Sequence, residues 1–212
     1  MKEQQVLFGI SPFNSRFSEV YLEKMLNWGF DNYDKVDILH PHEEARYLLM
    51  GCGDNENKAK KKSRKEFYRA ERIIHDYISK TGCTLSSGKI LRFSDFYGNI
   101  AYQYFLEKVR KDYSDNSDFY TLCTEQSEKA IIKRKISTEK QNIINKKDIE
   151  IATEYILREL PFLIAPSVLL ATDCNVHISY YCTWPVADYL YQDNLSLSPH
   201  SYTKIVIKDH VA

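Results

Sequence analysis

Near the amino terminus an apolar run leads into "GISPFNSRFS", residues 9 to 18, where Ser11 stands between a strand-like segment and a proline. A serine there reads as a turn residue as readily as a nucleophile. Much later, "EIATEYILRELPF" (150–162) sets Tyr155 and Glu159 four residues apart, on one helix face with Ala152, Ile156 and Leu160. A phenol and a carboxylate on a largely apolar face need partners. They form either a core tyrosine bonded to a glutamate, or a site where Glu159 holds a substrate ammonium and Tyr155 handles a proton. A third stretch, "NVHISYYCTWPVADYLY" (175–191), places either Tyr180 or Tyr181 toward a given pocket, because strand side chains alternate. The spacing of His177 to His40 or His42 demands no metal.

These residues must be positioned by a fold. "QVLFGIS" (5–11), "KVDILH" (35–40), "ILRF" (90–93) and "FYTLC" (119–123) are short apolar runs with helical patterns between them. Strands buried on both faces read in this way, so the order predicts βα units around a parallel sheet. Ligands in such folds sit at the carboxyl ends of the strands, which is where Ser11 would stand. Residues 124–150 read as a surface helix and loop leading into a further helix, and 175–191 as a strand, a Trp-Pro turn and a helix.

With 212 residues and no break in composition, the chain reads as one domain, residues 1–212. Lys+Arg and Asp+Glu are both 29, so no global charge asks for a polyanion. The distribution does. Eight basic residues, Lys58, Lys60, Lys61, Lys62, Arg64, Lys65, Arg69 and Arg72, face only Glu66 and Glu71 within one segment. Phe67, Ala70, Ile73, Ile74, Tyr77 and Ile78 recur there at helical spacing, so one face is buried and the cations project from the rest. That surface is either a solvated helix face or a track for a phosphate backbone. Five cysteines without CxxC spacing indicate neither a disulfide framework nor zinc, and the longest apolar stretch is too short to span a bilayer. The expected setting is the reducing cytoplasm.

Taken together, "GISPFNSRFS", the basic helix, "YILRELPF" and "YCTWPVADYLY" resemble, in order and spacing, the tRNA-dependent cyclodipeptide synthases, from Leu7 to about Tyr191. The resemblance implies a Rossmann-like α/β fold similar to the catalytic domain of class I tyrosyl- and tryptophanyl-tRNA synthetases. It implies an aminoacyltransferase that joins two aminoacyl-tRNAs into a cyclic dipeptide through a Ser11-linked aminoacyl-enzyme and a dipeptidyl-enzyme. By the same resemblance Glu159 binds the first ammonium, Tyr155 shares in that binding and in the proton relay, and Tyr181 positions Ser11. Leu7, Gly9 and Phe162 line the first pocket, Asn14 borders the second, and Tyr102, or else Tyr104, is a further pocket residue. The eight cations of the basic helix bind tRNA. Asn14 matches the subfamily with asparagine, whereas Cys182 is neither the glutamine nor the proline that usually follows the late tyrosine. An aminoacyl ester is already activated, so neither ATP, a metal nor any other cofactor is expected. The expected partners are two aminoacyl-tRNAs, with no membrane, and the expected state is a monomer.

Other readings fit less well. "RKISTE" (134–139) superficially resembles the lysine-serine signature of class I synthetases, but "SPFNS" stands where a HIGH-type element should follow the first strand. A non-catalytic tRNA-binding module leaves Ser11, Tyr155 and Glu159 unexplained. No G-x-G-x-x-G or P-loop follows a strand, and no histidine is identified as the base of a hydrolase triad.

Overall fold

The computed structural model describes residues 3–138, 143–180, 185–190 and 203–207. Five strands form one parallel sheet: β1 (Glu3–Gly9), β2 (Tyr33–His40), β3 (Leu91–Arg92), β4 (Val176–Tyr180) and β5 (Thr203–Ile207), in the order β3-β2-β1-β4-β5. β1 lies between β2 and β4, with Leu7 opposite both Asp37 and Ile178. Around the sheet stand α1 (Glu19–Asn32), α2 (Arg46–Gly51), α3 (Glu56–Thr81), α4 (Ile100–Asp115), α5 (Ser117–Ser137), α6 (Lys146–Ile164), α7 (Pro166–Leu169) and α8 (Pro185–Leu190).

Period-two alternation along β1 assigns each side of the sheet. Val6, Phe8 and Ile10 pack with Leu22, Met25 and Leu26 of α1 and with Phe67, Ala70 and Ile74 of α3. Leu7 faces the other way and packs with Leu39, Val176, Tyr102 and Leu106 of α4, and Phe162 of α6. Ile178 continues that side with Leu160, Leu163 and Ile164 of α6 and Val186 of α8. The sheet is covered on both faces, which explains the unbroken apolar strand sequences.

One predicted strand is corrected. Residues 119–123 lie inside α5, which Asn116 caps by accepting from the backbone N–H groups of Asp118 and Phe119. Phe119, Cys123, Ser127 and Ile131 recur every fourth residue and are all buried, so the spacing that decides is helical and runs beyond the short apolar segment. The third strand is only two residues long, and β5 lies beyond the runs that predict strands. Close approach of α2 to α6 depends on Gly51, where a Cβ would lie 2.7 Å from the carbonyl oxygen of Asp148 and 2.9 Å from the Ala152 methyl.

Candidate active site

Ser11 stands two residues past the end of β1 and is half-buried. The backbone N–H of Ile10 donates to the carbonyl of Leu39 at 3.0 Å, so the sheet ladder continues to the residue before the serine. Leu7 packs with Phe162 of α6, so the side of β1 that it faces is the one α6 covers. Beyond Ser11 the chain turns sharply. Phe13 takes a left-handed conformation with φ 62°, which is strained for a residue with a Cβ. The Asn14 side chain accepts from the Arg16 N–H at 3.0 Å, and Ser18 caps α1 by accepting from the Tyr21 N–H at 3.3 Å.

Across from β1, α6 presents Tyr155 and Glu159 one turn apart, as the spacing predicts. The helix begins at a capping box in which Asn145 and Asp148 satisfy each other's backbone N–H groups. Glu159 is only 5% exposed, a costly setting for a carboxylate unless it is hydrogen-bonded or ion-paired. The Tyr155 ring stacks on Phe93, centroids 6.1 Å apart and planes 9° apart, and packs against two core clusters at once.

Of the expected pocket residues, the structure brings Leu7, Tyr102 and Phe162 into the layer that carries Tyr155. Phe162 lies 5.1 Å from Phe93 and 5.4 Å from Tyr102, centroid to centroid. All three are at most 1% exposed, and the Tyr102 hydroxyl is engaged with the Arg158 carbonyl at 3.0 Å. They therefore form the packed support of the site. Tyr104, the alternative to Tyr102, is 51% exposed on the surface. Gly9 is buried. Asn14 lines a groove of about 330 Å³ with Phe13, Ser15, Phe17, Ser18, Glu66, Arg69 and Arg134. Tyr181, and with it Cys182, lies outside the described residues.

The basic segment is one helix, α3, begun by Asn55, which accepts from the Lys58 N–H, and ended by Gly82 at φ 72°. Five of its eight cations are already paired. Lys58 and Lys62 reach Asp54 at 3.4 and 2.5 Å, Lys60 reaches Glu56 at 2.8 Å, Arg64 reaches Glu43 at 2.7 Å, and Arg69 reaches Glu66 at 2.7 Å. Lys61, Lys65 and Arg72 are exposed and have no carboxylate partner among the described residues. With the exposed Tyr68 they follow one stripe at spacings of three and four. A shallow groove of about 750 Å³ runs along Asn57, Lys60, Lys61, Arg64, Lys65 and Tyr68.

Sequence reasoning missed the residues that hold α6 from behind. Glu44, 4% exposed, lies 2.8 Å from Arg46 and 3.5 Å from Arg158, the neighbour of Glu159. Arg158 also donates to Glu154 at 2.7 Å and to the Tyr97 hydroxyl at 2.9 Å. Burial opposes the Arg158 charge, but Tyr97, Glu154, Tyr47 and Glu44 outweigh it and raise its pKa. Burial foremost pushes the Tyr97 and Tyr102 phenols up, so both remain hydrogen-bond donors at neutral pH. "HPHEEAR" gave little signal, because Glu44 lies in a 3-10 turn (His42–Ala45), Arg46 opens the next helix, α2, and Arg158 lies over a hundred residues away. Cys52, Cys83, Cys123 and Cys174 are free thiols, and burial raises that of Cys123 to about 12. Among the described residues, no helix is long and apolar enough to cross a membrane, and no group of three or more His, Cys, Asp or Glu side chains has a metal-holding arrangement.

The arrangement can be compared with known proteins. The family model for cyclodipeptide synthases matches residues 1–207. A cyclo(L-leucyl-L-leucyl) synthase of Staphylococcus haemolyticus is 31% identical, over 92% of this chain and 83% of its own, and one of Photorhabdus laumondii is 34% identical, over 90% and 82%. The crystal structure of a cyclodipeptide synthase from Bacillus thermoamylovorans superposes with a TM-score of 0.90 at 26% identity, covering 99% of this chain and 90% of that one. More distantly, at 21% identity and a TM-score of 0.75, the fold is that of a Mycobacterium tuberculosis protein whose structure relates these enzymes to type I tRNA synthetases. A synthase from Candidatus Glomeribacter gigasporarum with the same fold, at 13% identity and a TM-score of 0.67, has been solved bound to Phe-tRNAPhe. By sequence over nearly its whole length and by fold, this chain belongs to the cyclodipeptide synthases, enzymes that make cyclic dipeptides.

Proposed function

We propose that the chain makes its cyclic dipeptide from two aminoacyl-tRNAs, with Ser11 as the acylated residue. What supports this reading is that Ser11 stands two residues past the end of β1, whose Leu7 packs with Phe162 of α6, the helix that bears Tyr155 and Glu159. The Ser11 hydroxyl adds to the ester carbonyl of the first aminoacyl-tRNA; the tRNA ribose hydroxyl leaves with a proton, and a seryl ester remains. Glu159 holds the ammonium of that aminoacyl group until it is deprotonated. The enzyme-bound amine then attacks the second aminoacyl ester, which releases the second tRNA and leaves a dipeptidyl-enzyme. The terminal amine finally attacks the seryl ester, closing the ring and returning the proton to Ser11, with Tyr155 as the proton relay and Tyr181 positioning Ser11. Gly9, without a side chain, leaves room for the aminoacyl group beside the backbone.

The layer behind the proposed first pocket is built from Leu7, Phe93 and Phe162, buried and without charge, which favours an apolar first side chain. With two relatives named as cyclo(L-leucyl-L-leucyl) synthases, leucine is the proposed residue at both positions. Lys61, Lys65 and Arg72 supply the principal phosphate contacts, Tyr68 adds an aromatic face, and the paired cations of α3 contribute less. The enzyme acts as a monomer in the cytoplasm, where charged tRNAs are made. Expression in a bacterial host tests the reading: the medium should acquire the mass of cyclo(Leu-Leu), and Ser11→Ala should abolish it while the thermal melt is unchanged. Full production by Ser11→Ala would overturn the covalent scheme.

A further inference from the structure

We infer that Arg69 and Arg134 are positioning residues that clamp the Ser11 loop from two helices, α3 and α5, and that Arg69 acts through this clamp and is not a phosphate ligand. The inference rests on the proposed role of Ser11. Arg134 belongs to "RKISTE", a segment that the reaction scheme leaves without a part. Its guanidinium lies 4.8 Å from the centre of the Phe13 ring, and Nη1 donates to the Phe13 carbonyl at 3.5 Å. No carboxylate among the described residues neutralises it. Arg69 reaches the same loop from the other helix, donating from Nη2 to the Phe17 carbonyl at 3.0 Å. Glu66, one turn back on α3, accepts from both Nε and Nη2 of Arg69 and so holds its guanidinium in that direction.

The clamp has something to hold. Phe13 sits at φ 62°, a conformation that a side chain disfavours, only two residues after the serine. On the near side the Ile10 N–H is fixed to Leu39; on the far side nothing in the sheet continues. An Arg134 cation over the Phe13 ring and a donor on its carbonyl favour the turned conformation over a relaxed one. Arg69 fixes the loop four residues further on, just before Ser18 caps α1. Because Arg69 shares α3 with Lys61, Lys65 and Arg72, the same rigid helix that carries the free cations also sets the position of the nucleophile. Its guanidinium, already spread over Glu66 and a carbonyl, has little left for a phosphate.

The test separates positioning from binding. With leucyl-tRNA as the probe, seryl-ester formation is followed in a single turnover at saturating tRNA, and the Kd and its salt dependence are measured separately. Arg134→Gln and Arg69→Gln should each slow acylation at least about tenfold, as a misplaced nucleophile does, with Kd and salt slope unchanged. In a Phe13→Gly background, where glycine adopts the left-handed conformation freely, Arg134→Gln should cost less than about threefold, since the turn no longer needs holding. The inference is overturned if acylation at saturation is unaffected. It is also overturned if the loss appears in Kd with a salt slope lower by about 1, the mark of a phosphate ligand, or if the Arg134→Gln defect is undiminished by Phe13→Gly. A wild-type enzyme that forms no seryl ester with leucyl-tRNA or with any aminoacyl-tRNA of the bacterial host refutes the covalent reading itself, and the clamp with it.

Discussion

The Tyr102 hydroxyl donates to the Arg158 carbonyl at 3.0 Å, tying α4 to the turn of α6 that carries Glu159. That ring is fully buried, and Pro161 has already removed one N–H from the same turn. Tyr102→Phe keeps the packing and deletes the bond. It should cost about 1 kcal/mol in urea unfolding, whereas Tyr104→Phe, on an exposed ring, should cost nothing measurable.

Glu44 lies between Arg46 and Arg158, and all three side chains are largely withdrawn from water. Glu44→Gln removes the buried carboxylate that the two guanidinium groups share and leaves Arg158 only Glu154, so a loss of about 2 kcal/mol is expected. Combined with Arg158→Met, the total should fall short of the sum of the single losses, because the two changes remove the same Glu44–Arg158 interaction. Additive losses in denaturant titrations would mean that the two residues do not act together.

The free and paired cations of α3 predict different behaviour. Replacing Lys61, Lys65 and Arg72 by glutamine should weaken tRNA binding and reduce the salt slope by about 1 for each cation that meets a phosphate. Lys62→Gln removes a cation already held by Asp54 at 2.5 Å, so its effect on the slope should be much smaller. Fluorescence anisotropy at several salt concentrations measures both. An equal change in slope per cation for the two variants would show that the ion pairs open when tRNA binds.

Gly51 touches α6 so closely that a methyl group would overlap backbone at 2.7 Å. Gly51→Ala should cost about 1–3 kcal/mol through displaced backbone. Since α2 follows the 3-10 turn that carries Glu44, activity should fall as well, which a thermal melt and a product assay together would register.

His40 ends β2, is fully buried, and accepts the His42 N–H at Nδ1. Burial above all, then the nearby His42 and Arg69 charges, lower its pKa from 6.5 to about 3. The folded state thus keeps it neutral where the unfolded chain would protonate it. Its contribution is fully present above about pH 6.5 and is lost as pH falls toward 3, at a slope of about 1.4 kcal/mol per pH unit. His40→Asn retains an acceptor for the His42 N–H without the titration. Its stability should fall less steeply with acid over that window, by nearly one proton in a pH series of unfolding curves.

Much of the candidate site was legible without coordinates because its parts are local. Tyr155 and Glu159 share a face through a four-residue interval, and any helix over that stretch must bring them together. Ser11 follows an apolar run long enough to be a strand, and parallel strands place ligands at that end. The same local reasoning failed at 119–123, where five residues look like a strand while the buried stripe Phe119, Cys123, Ser127 and Ile131 extends over a longer helical period. It also overcounted the basic helix, since Glu43 and Asp54, which lie before the helix, neutralise three of its cations.

What the sequence determined by itself, then, was the order of strands and helices along most of the chain, the pairing of Tyr155 with Glu159 and the concentration of charge on one helix. These follow from periodicities of two and 3.6 residues and need no distant contact. Only the tertiary structure decided which cations of α3 are free, that Tyr102 and not Tyr104 packs in the layer with Tyr155, and that Glu44 backs Arg158. It alone brought Arg69 and Arg134 to the loop after Ser11. Each of those facts depends on residues far apart in sequence meeting across packed elements, and burial, charge and hydrogen bonding take their values only once that packing exists.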